Sequence, residues 1–188
     1  MMYANYKVTF REVPDEISLS FGISECPYKC KGCHSHELQT DIGEELTEKI
    51  IDRFTAKNDG VTCVCFLGGD GKKEDLLRLL KYVKSKGLKT AWYSGNQQFP
   101  LPEEKELLDN LDYIKIGPYV EKLGDLTKKT TNQIFYRKSP NGVWEDITYK
   151  FRNNGINNLY MLINRRLQFL GSALDKRRQK KGKDKGVI

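Results

Sequence analysis

Three of the five cysteines and both histidines fall between Ser24 and Glu37, in the stretch SECPYKCKGCHSHE. The spacing is Cys26, three residues, Cys30, two residues, Cys33. Thiols at such short intervals converge on one ion or one cluster. Zinc requires a fourth ligand, which His34 or His36 would supply, but a two-residue cysteine knuckle normally pairs with a second knuckle far along the chain, and the sequence has none. A four-iron cluster normally takes four protein thiolates. Held by three, it keeps one iron open to another ligand and becomes a site for chemistry rather than an electron carrier. Cys26, Cys30 and Cys33 are therefore the expected metal ligands, and His36 is expected to be a loop residue. Cys63 and Cys65 stand one residue apart in VTCVCFL, which puts both on one strand face as small core residues.

The elements that must position this loop follow from periodicity. Two strands are expected over residues 6–13 and 16–23, turning near Pro14 and Asp15, with the cysteine loop directly after the second. A helix is expected over 43–57, with Leu46, Ile50, Ile51 and Phe54 on one face. Next come a strand over 61–67 ended by Gly68-Gly69-Asp70-Gly71, a helix over 72–87 stopped by Gly87, and a strand over 88–94. A helix opened by Pro102 and a strand over 113–119 complete the series. Such alternation builds parallel strands, and sites in parallel sheets lie beyond the carboxyl ends of the strands. The cysteine loop, the Gly-Gly-Asp turn and Tyr93-Ser94-Gly95 should thus share one rim. With 188 residues the chain falls short of the roughly 250 typical of a closed eightfold barrel, so the fold expected is α/β, a partial, open barrel. Residues 132–138 and 143–151 flank SPNG as a C-terminal β-hairpin, followed by a helix and a basic tail.

Charge and composition narrow the class. The net charge is +7, but residues 176–185, KRRQKKGKDK, hold seven Lys or Arg and one Asp, leaving about +1 for the remainder. The tail is expected to be disordered. No aromatic residue interleaves its charges, which points away from nucleic acid as a partner. No apolar run reaches the roughly 20 residues that span a bilayer, the N-terminus lacks the order of a signal peptide, and the cysteine count is odd. A cytoplasmic protein is expected.

The Cys26-x3-Cys30-x2-Cys33 motif after a strand resembles the cluster motif of the radical S-adenosylmethionine superfamily. LGGDG, Leu67 to Gly71, stands where that superfamily has its Gly-Gly-Glu-Pro-like turn. With CKGCH, WYSG and TTNQ (Thr130 to Gln133), the chain is most similar to the activating proteins of anaerobic ribonucleoside-triphosphate reductase, which are glycyl-radical activases. The similarity covers about residues 5–151. Gly71 stands where Pro is common, Gly32 replaces an aromatic residue, and VPDEISLS replaces a Gly-Pro-Gly-x-Arg segment.

The resemblance implies a 4Fe-4S cluster on Cys26, Cys30 and Cys33 and S-adenosyl-L-methionine on its open iron. Gly32, Cys33 and His34 would lie beside that cofactor. Gly68 and Gly69 would allow close backbone approach, and Asp70 would accept from the methionyl ammonium. Tyr93 and Ser94, with Asn96, would line the pocket. Asp112 and Lys115 bracket a strand, where a surface ion pair is expected. The partners implied are a large glycyl-radical subunit and a reducing protein such as flavodoxin or ferredoxin. The domains expected are 1–151 for the catalytic fold, 152–175 for a helical extension and 176–188 for the tail. Two other readings stay open: a small enzyme of the same superfamily acting on a metabolite, of the carboxy-deazaguanine synthase kind, and a zinc-stabilised nucleic-acid-binding module.

Overall fold

A computed structural model describes residues 1–99 and 104–152. The expected C-terminal helix and basic tail lie outside the described residues, as does Pro102. Met1–Arg152 forms one compact unit.

The unit is mixed α/β, with an open sheet of eight strands and few helices. The strands are β1 (Met2–Thr9), β2 (Ser18–Ile23), β3 (Glu44–Glu45), β4 (Cys63–Leu67), β5 (Lys89–Tyr93), β6 (Tyr113–Ile116), β7 (Ile134–Lys138) and β8 (Trp144–Asp146), and the helices are α1 (Glu48–Lys57), α2 (Lys73–Ser85) and α3 (Lys105–Asp109). Their order across the sheet is β3-β1-β2-β4-β5-β6-β7-β8. The four central strands, β2, β4, β5 and β6, run parallel, and β1, β3, β7 and β8 join antiparallel at the two sides.

Period-two alternation sorts the central strands into two apolar layers. Leu19, Phe21, Val64, Phe66, Trp92 and Ile114 pack against Ile51 and Phe54 of α1 and Leu76, Leu79, Leu80 and Val83 of α2. The opposite face carries smaller residues: Cys63, Cys65 and Ala91, covered by Val13, Leu126, Phe135, Ile147 and Phe151. Cys63 and Cys65 are fully buried there as expected, and burial pushes both thiols well up from their ordinary pKa. At the amino-terminal ends of the strands, buried Glu16 accepts from Lys89 Nζ (2.5 Å), Thr62 Oγ1 (2.5 Å) and Tyr113 Oη (2.8 Å), which satisfies a charge the core would otherwise reject.

Boundaries differ from the sequence pattern where capping decides. Helix α1 starts at Glu48, not 43, because Thr47 caps it by accepting from Ile50 N. Glu44–Glu45 is instead a strand on β1, and Leu46 enters the core ahead of the helix. The hairpin's second strand stops at Asp146, whose Oδ1 accepts from Thr148 N and Oγ1 and turns the chain into a 3-10 helix over Thr148–Phe151.

Candidate cluster site at the strand ends

Register places the site. Gly22 of β2, Leu67 of β4, Tyr93 of β5 and Lys115 of β6 are paired partners in successive strands. The segments that follow them therefore emerge along one edge. These are the cysteine loop, the Gly68-Gly69-Asp70 turn, Ser94-Gly95 and the connection that starts at Gly117.

The cysteine loop is pinned at its base. Cys26 N donates to Leu38 O (2.8 Å), Glu25 N to Thr40 O (3.2 Å) and Ser24 Oγ to Ile42 O (2.6 Å), with Leu38 buried as the anchor. Glu25 and Lys29, neither of them glycine, adopt left-handed backbone at φ 59° and 45°. Such residues cost on the order of 1–3 kcal/mol each and concentrate at ligand-holding segments. Cys26, Cys30 and Cys33 are half-buried and free of disulfides. Cys33 N donates to Cys30 O (3.3 Å), and Gln39 Nε2 reaches the same carbonyl (3.3 Å).

Asp70 is the buried acid of the site. Its Oδ1 accepts from Ser94 Oγ, while Oδ2 is buried with no hydrogen-bond partner among the described residues. Burial raises its pKa, against opposing hydrogen bonding by Ser94 and the charge of Lys115. Lys115 is only 8% exposed. Its Nζ donates to Ser94 O (3.1 Å) and Gly117 O (2.8 Å). Burial pushes its pKa down to about 8, while Asp70 and then Cys30, Cys26 and Cys33 pull upward. All three thiols thus lie within electrostatic reach of one buried ammonium. Burial also raises the Cys26 thiol.

Tyr28, inside the cysteine loop, lies across Gly95: a Cβ there would stand 2.2 Å from the Tyr28 ring. Its hydroxyl sits beside Ser94 and Asp70, and burial followed by the Asp70 charge pushes it up to about 12.

Several expected residues behave differently. Lys115 is not part of a surface ion pair with Asp112. Asp112 instead pairs with Lys84 (2.9 Å) and accepts from Thr90 N (2.9 Å), because Lys115 points to the opposite side of the strand. Tyr93 is packed with Phe135 and spends its hydroxyl on Glu12 O. Gly68 and Gly69 have φ of 102° and 96°, and a Cβ would meet Ile23 O (3.2 Å) and Met1 Sδ (3.3 Å), so the turn itself requires both glycines. Trp92 Nε1 braces that turn by donating to Gly68 O (2.9 Å). Asn96 N and Ser94 Oγ close a local turn (2.9 Å). His34 is exposed with its ring 5.2 Å from Tyr119, and His36 is exposed with its Nδ1 4.0 Å from Glu37. Gly32 faces Glu121. Lys115 and Tyr28 are the site residues that residue type and spacing did not reveal. An alternating strand with one lysine on the small-residue face, YIKI after KTAWY, is the signal that would have found Lys115.

Among the described residues no group of three or more His, Cys, Asp or Glu side chains is drawn together at ligand distance. The donor set nonetheless fits an iron–sulfur cluster: three free thiols in one loop, within electrostatic reach of a buried cation that would offset thiolate charge. Residues 17–136 match the family model of the 4Fe-4S single cluster domain. No curated protein and no solved structure matches the chain. No helix among the described residues is long and apolar enough to cross a membrane.

Proposed function

The chain belongs to the 4Fe-4S single cluster domain family, and from that premise we propose that it is a cytoplasmic activating enzyme that cleaves S-adenosylmethionine reductively and makes a glycyl radical on a large partner subunit, the anaerobic ribonucleoside-triphosphate reductase. Cys26, Cys30 and Cys33 would hold the cluster, which when bound would supply the single electron needed for reductive cleavage of S-adenosylmethionine at its sulfonium sulfur.

The observation that carries this reading is the pairing of Asp70 and Lys115. A buried carboxylate oxygen with no partner among the described residues, in the turn after β4, and a buried ammonium with two of its three protons engaged, on β6 across β5 from it, stand within electrostatic reach of three thiols. An amino-acid headgroup presents the complementary pair. Asp70 accepts from the methionyl ammonium, Ser94 holds the Asp70 carboxylate in orientation, and Lys115 donates its third proton to the methionyl carboxylate. Tyr28 lies over Gly95, with its hydroxyl beside Ser94 and Asp70. The open sheet suits a protein loop as the substrate, and a reducing protein of the flavodoxin or ferredoxin kind supplies the electron.

The test is anaerobic reconstitution followed by reduction. About four irons per chain are expected, and S-adenosylmethionine should yield methionine and 5′-deoxyadenosine in equal amounts. A persistent radical should form on the partner and vanish when its glycine is changed to alanine. Stoichiometric zinc without sulfide in protein purified without air, or intact S-adenosylmethionine after reduction, refutes the assignment.

A further inference from the structure

The stretch Thr130-Thr131-Asn132-Gln133 belongs to no helix or strand, yet each of its four side chains donates to a main-chain carbonyl. Thr130 Oγ1 reaches Leu123 O (2.7 Å), Thr131 Oγ1 reaches Gly124 O (3.1 Å), Asn132 Nδ2 reaches Pro118 O (2.9 Å) and Gln133 Nε2 reaches Gly117 O (3.3 Å). Every acceptor lies in the outgoing half of the connection between β6 and β7. The two halves of a 17-residue loop, 117–133, are therefore stitched together by side chains from one half only. The outgoing half adds its own turn, with Leu123 N on Val120 O (2.9 Å). Gly117 O also accepts from Lys115 Nζ (2.8 Å), which ties the stitching to the buried ammonium.

The stitched half touches the cysteine loop at two places. The Tyr119 ring is 5.2 Å from that of His34. The Glu121 carboxyl carbon stands 3.2 Å from where a Cβ on Gly32 would be. Gly32 and His34 are the two neighbours of Cys33. Asp125, further along, lies within electrostatic reach of His34. A free connection would lose conformational freedom each time it covered Cys33, whereas a stitched one has already lost it on folding.

We propose that residues 117–133 form a preset clamp on the Cys33 side of the cysteine loop, with Thr130, Thr131, Asn132 and Gln133 as positioning residues that fix where Tyr119 and Glu121 stand. The clamp slows exchange of whatever Cys33 holds and shields that sulfur from solvent. Its cofactor consequence rests on Cys33 being a cluster ligand, but the clamp itself is testable without a cluster.

The experiment uses the full chain in two states. In the unloaded protein, alkylation of each thiol by iodoacetamide is followed by mass spectrometry. Asn132→Ala and, separately, Tyr119→Ala should speed alkylation of Cys33 by about two- to tenfold, the range set by losing one modest contact, while Cys26 keeps its wild-type rate. Thr130→Val should do the same and Thr130→Ser should not, because serine retains the donor. In the reconstituted protein the same variants should release iron to a chelator faster by a similar factor, with thermal midpoints close to wild type for Tyr119→Ala. Cys33 rates unchanged in Tyr119→Ala, or all three loop thiols accelerating together, overturn the clamp. Should Asn132→Ala fail to fold, Tyr119→Ala and Glu121→Ala leave the stitching whole and decide the matter. Wild-type protein that takes up no iron would sink the cluster reading while the alkylation arm still judges the clamp.

Discussion

Lys115→Met, studied in the unloaded protein, isolates the cost of keeping a cation ready beside the thiols. The wild-type ammonium is buried and its pKa is pushed down to about 8, whereas an unfolded lysine titrates near 10.4. The folded-state value is the lower one, so below about pH 8 both states hold the proton and the folded protein bears the full burial penalty. Between about pH 8 and pH 10.4 the unfolded state binds more protons, and stability gains with rising pH. The separation corresponds to roughly 3 kcal/mol. Methionine has no such dependence. It leaves Ser94 O and Gly117 O without this donor, a loss of about 1 kcal/mol each that does not vary with pH. The stability difference between variant and wild type should therefore shift by roughly 2–3 kcal/mol in favour of wild type from about pH 7 to about pH 10. The raised Cys63 and Cys65 thiols and Tyr113 hydroxyl push the other way as pH rises, but Lys115 is not among the causes of their shifts, so they are common to both proteins and cancel in the comparison. The assay is urea unfolding at both pH values. With slopes of about 1–3 kcal/mol per molar, the gap between midpoints should change by roughly 1 M or more. Parallel pH profiles for the two proteins would refute the claim that Lys115 is held charged in a desolvated place.

Other expectations separate chemistry from scaffolding. Cys30→Ala should abolish iron uptake on reconstitution, whereas Cys63→Ala, in the core of the sheet, should keep the iron and cost about 1 kcal/mol in urea unfolding; iron loss from both alike would make Cys63 a ligand. Asp70→Asn should assemble a normal cluster and bind S-adenosylmethionine about 10- to 150-fold more weakly by calorimetry, as expected for a lost hydrogen bond to a charged group. Gly95→Ala should lower iron content, because the new Cβ would stand 2.2 Å from the Tyr28 ring and must displace the cysteine loop; an iron content equal to wild type would show that Tyr28 is free to move.

The parallel centre of the fold was legible because each central strand is a short apolar run ended by glycine or serine. Helix α2 was legible because Leu76, Leu79, Leu80 and Val83 repeat at helical spacing. The start of α1 was misplaced because LTEKII carries helical periodicity across a capping threonine, and only the Thr47 bond to Ile50 decides where the helix begins. The strand at Glu44–Glu45 has no sequence signal at all. Two exposed glutamates pair with Met2 and Tyr3 because the cysteine loop returns the chain to that edge. In the same way, SPNG revealed a hairpin but not its length, which Asp146 sets by turning its carboxylate onto Thr148.

At the site, the sequence exposed whatever was gathered in one stretch and hid whatever is assembled across strands. Three cysteines within eight residues could be read directly. Lys115 could not, because its burial follows from register: it lies level with Tyr93, Leu67 and Gly22, so its side chain enters the same face as Cys65 and Ala91 one row away. A lysine in YIKI read alone is an outward residue of a half-exposed strand. Read with its neighbours, it is the sole cation on a face of small and aromatic side chains, among the described residues of the four central strands beyond Lys89 at their opposite ends. The same pairing aligns Ser94, Asp70 and Gly117 around its ammonium, so that one residue links the Gly-Gly-Asp turn, the cysteine loop and the stitched connection. A buried charge is tolerable only where it is repaid by partners. Two carbonyls accept from the ammonium, and the Asp70 carboxylate and three thiols lie within its electrostatic reach; these offset part of the burial cost, and they emerge only at the strand ends where the lysine sits.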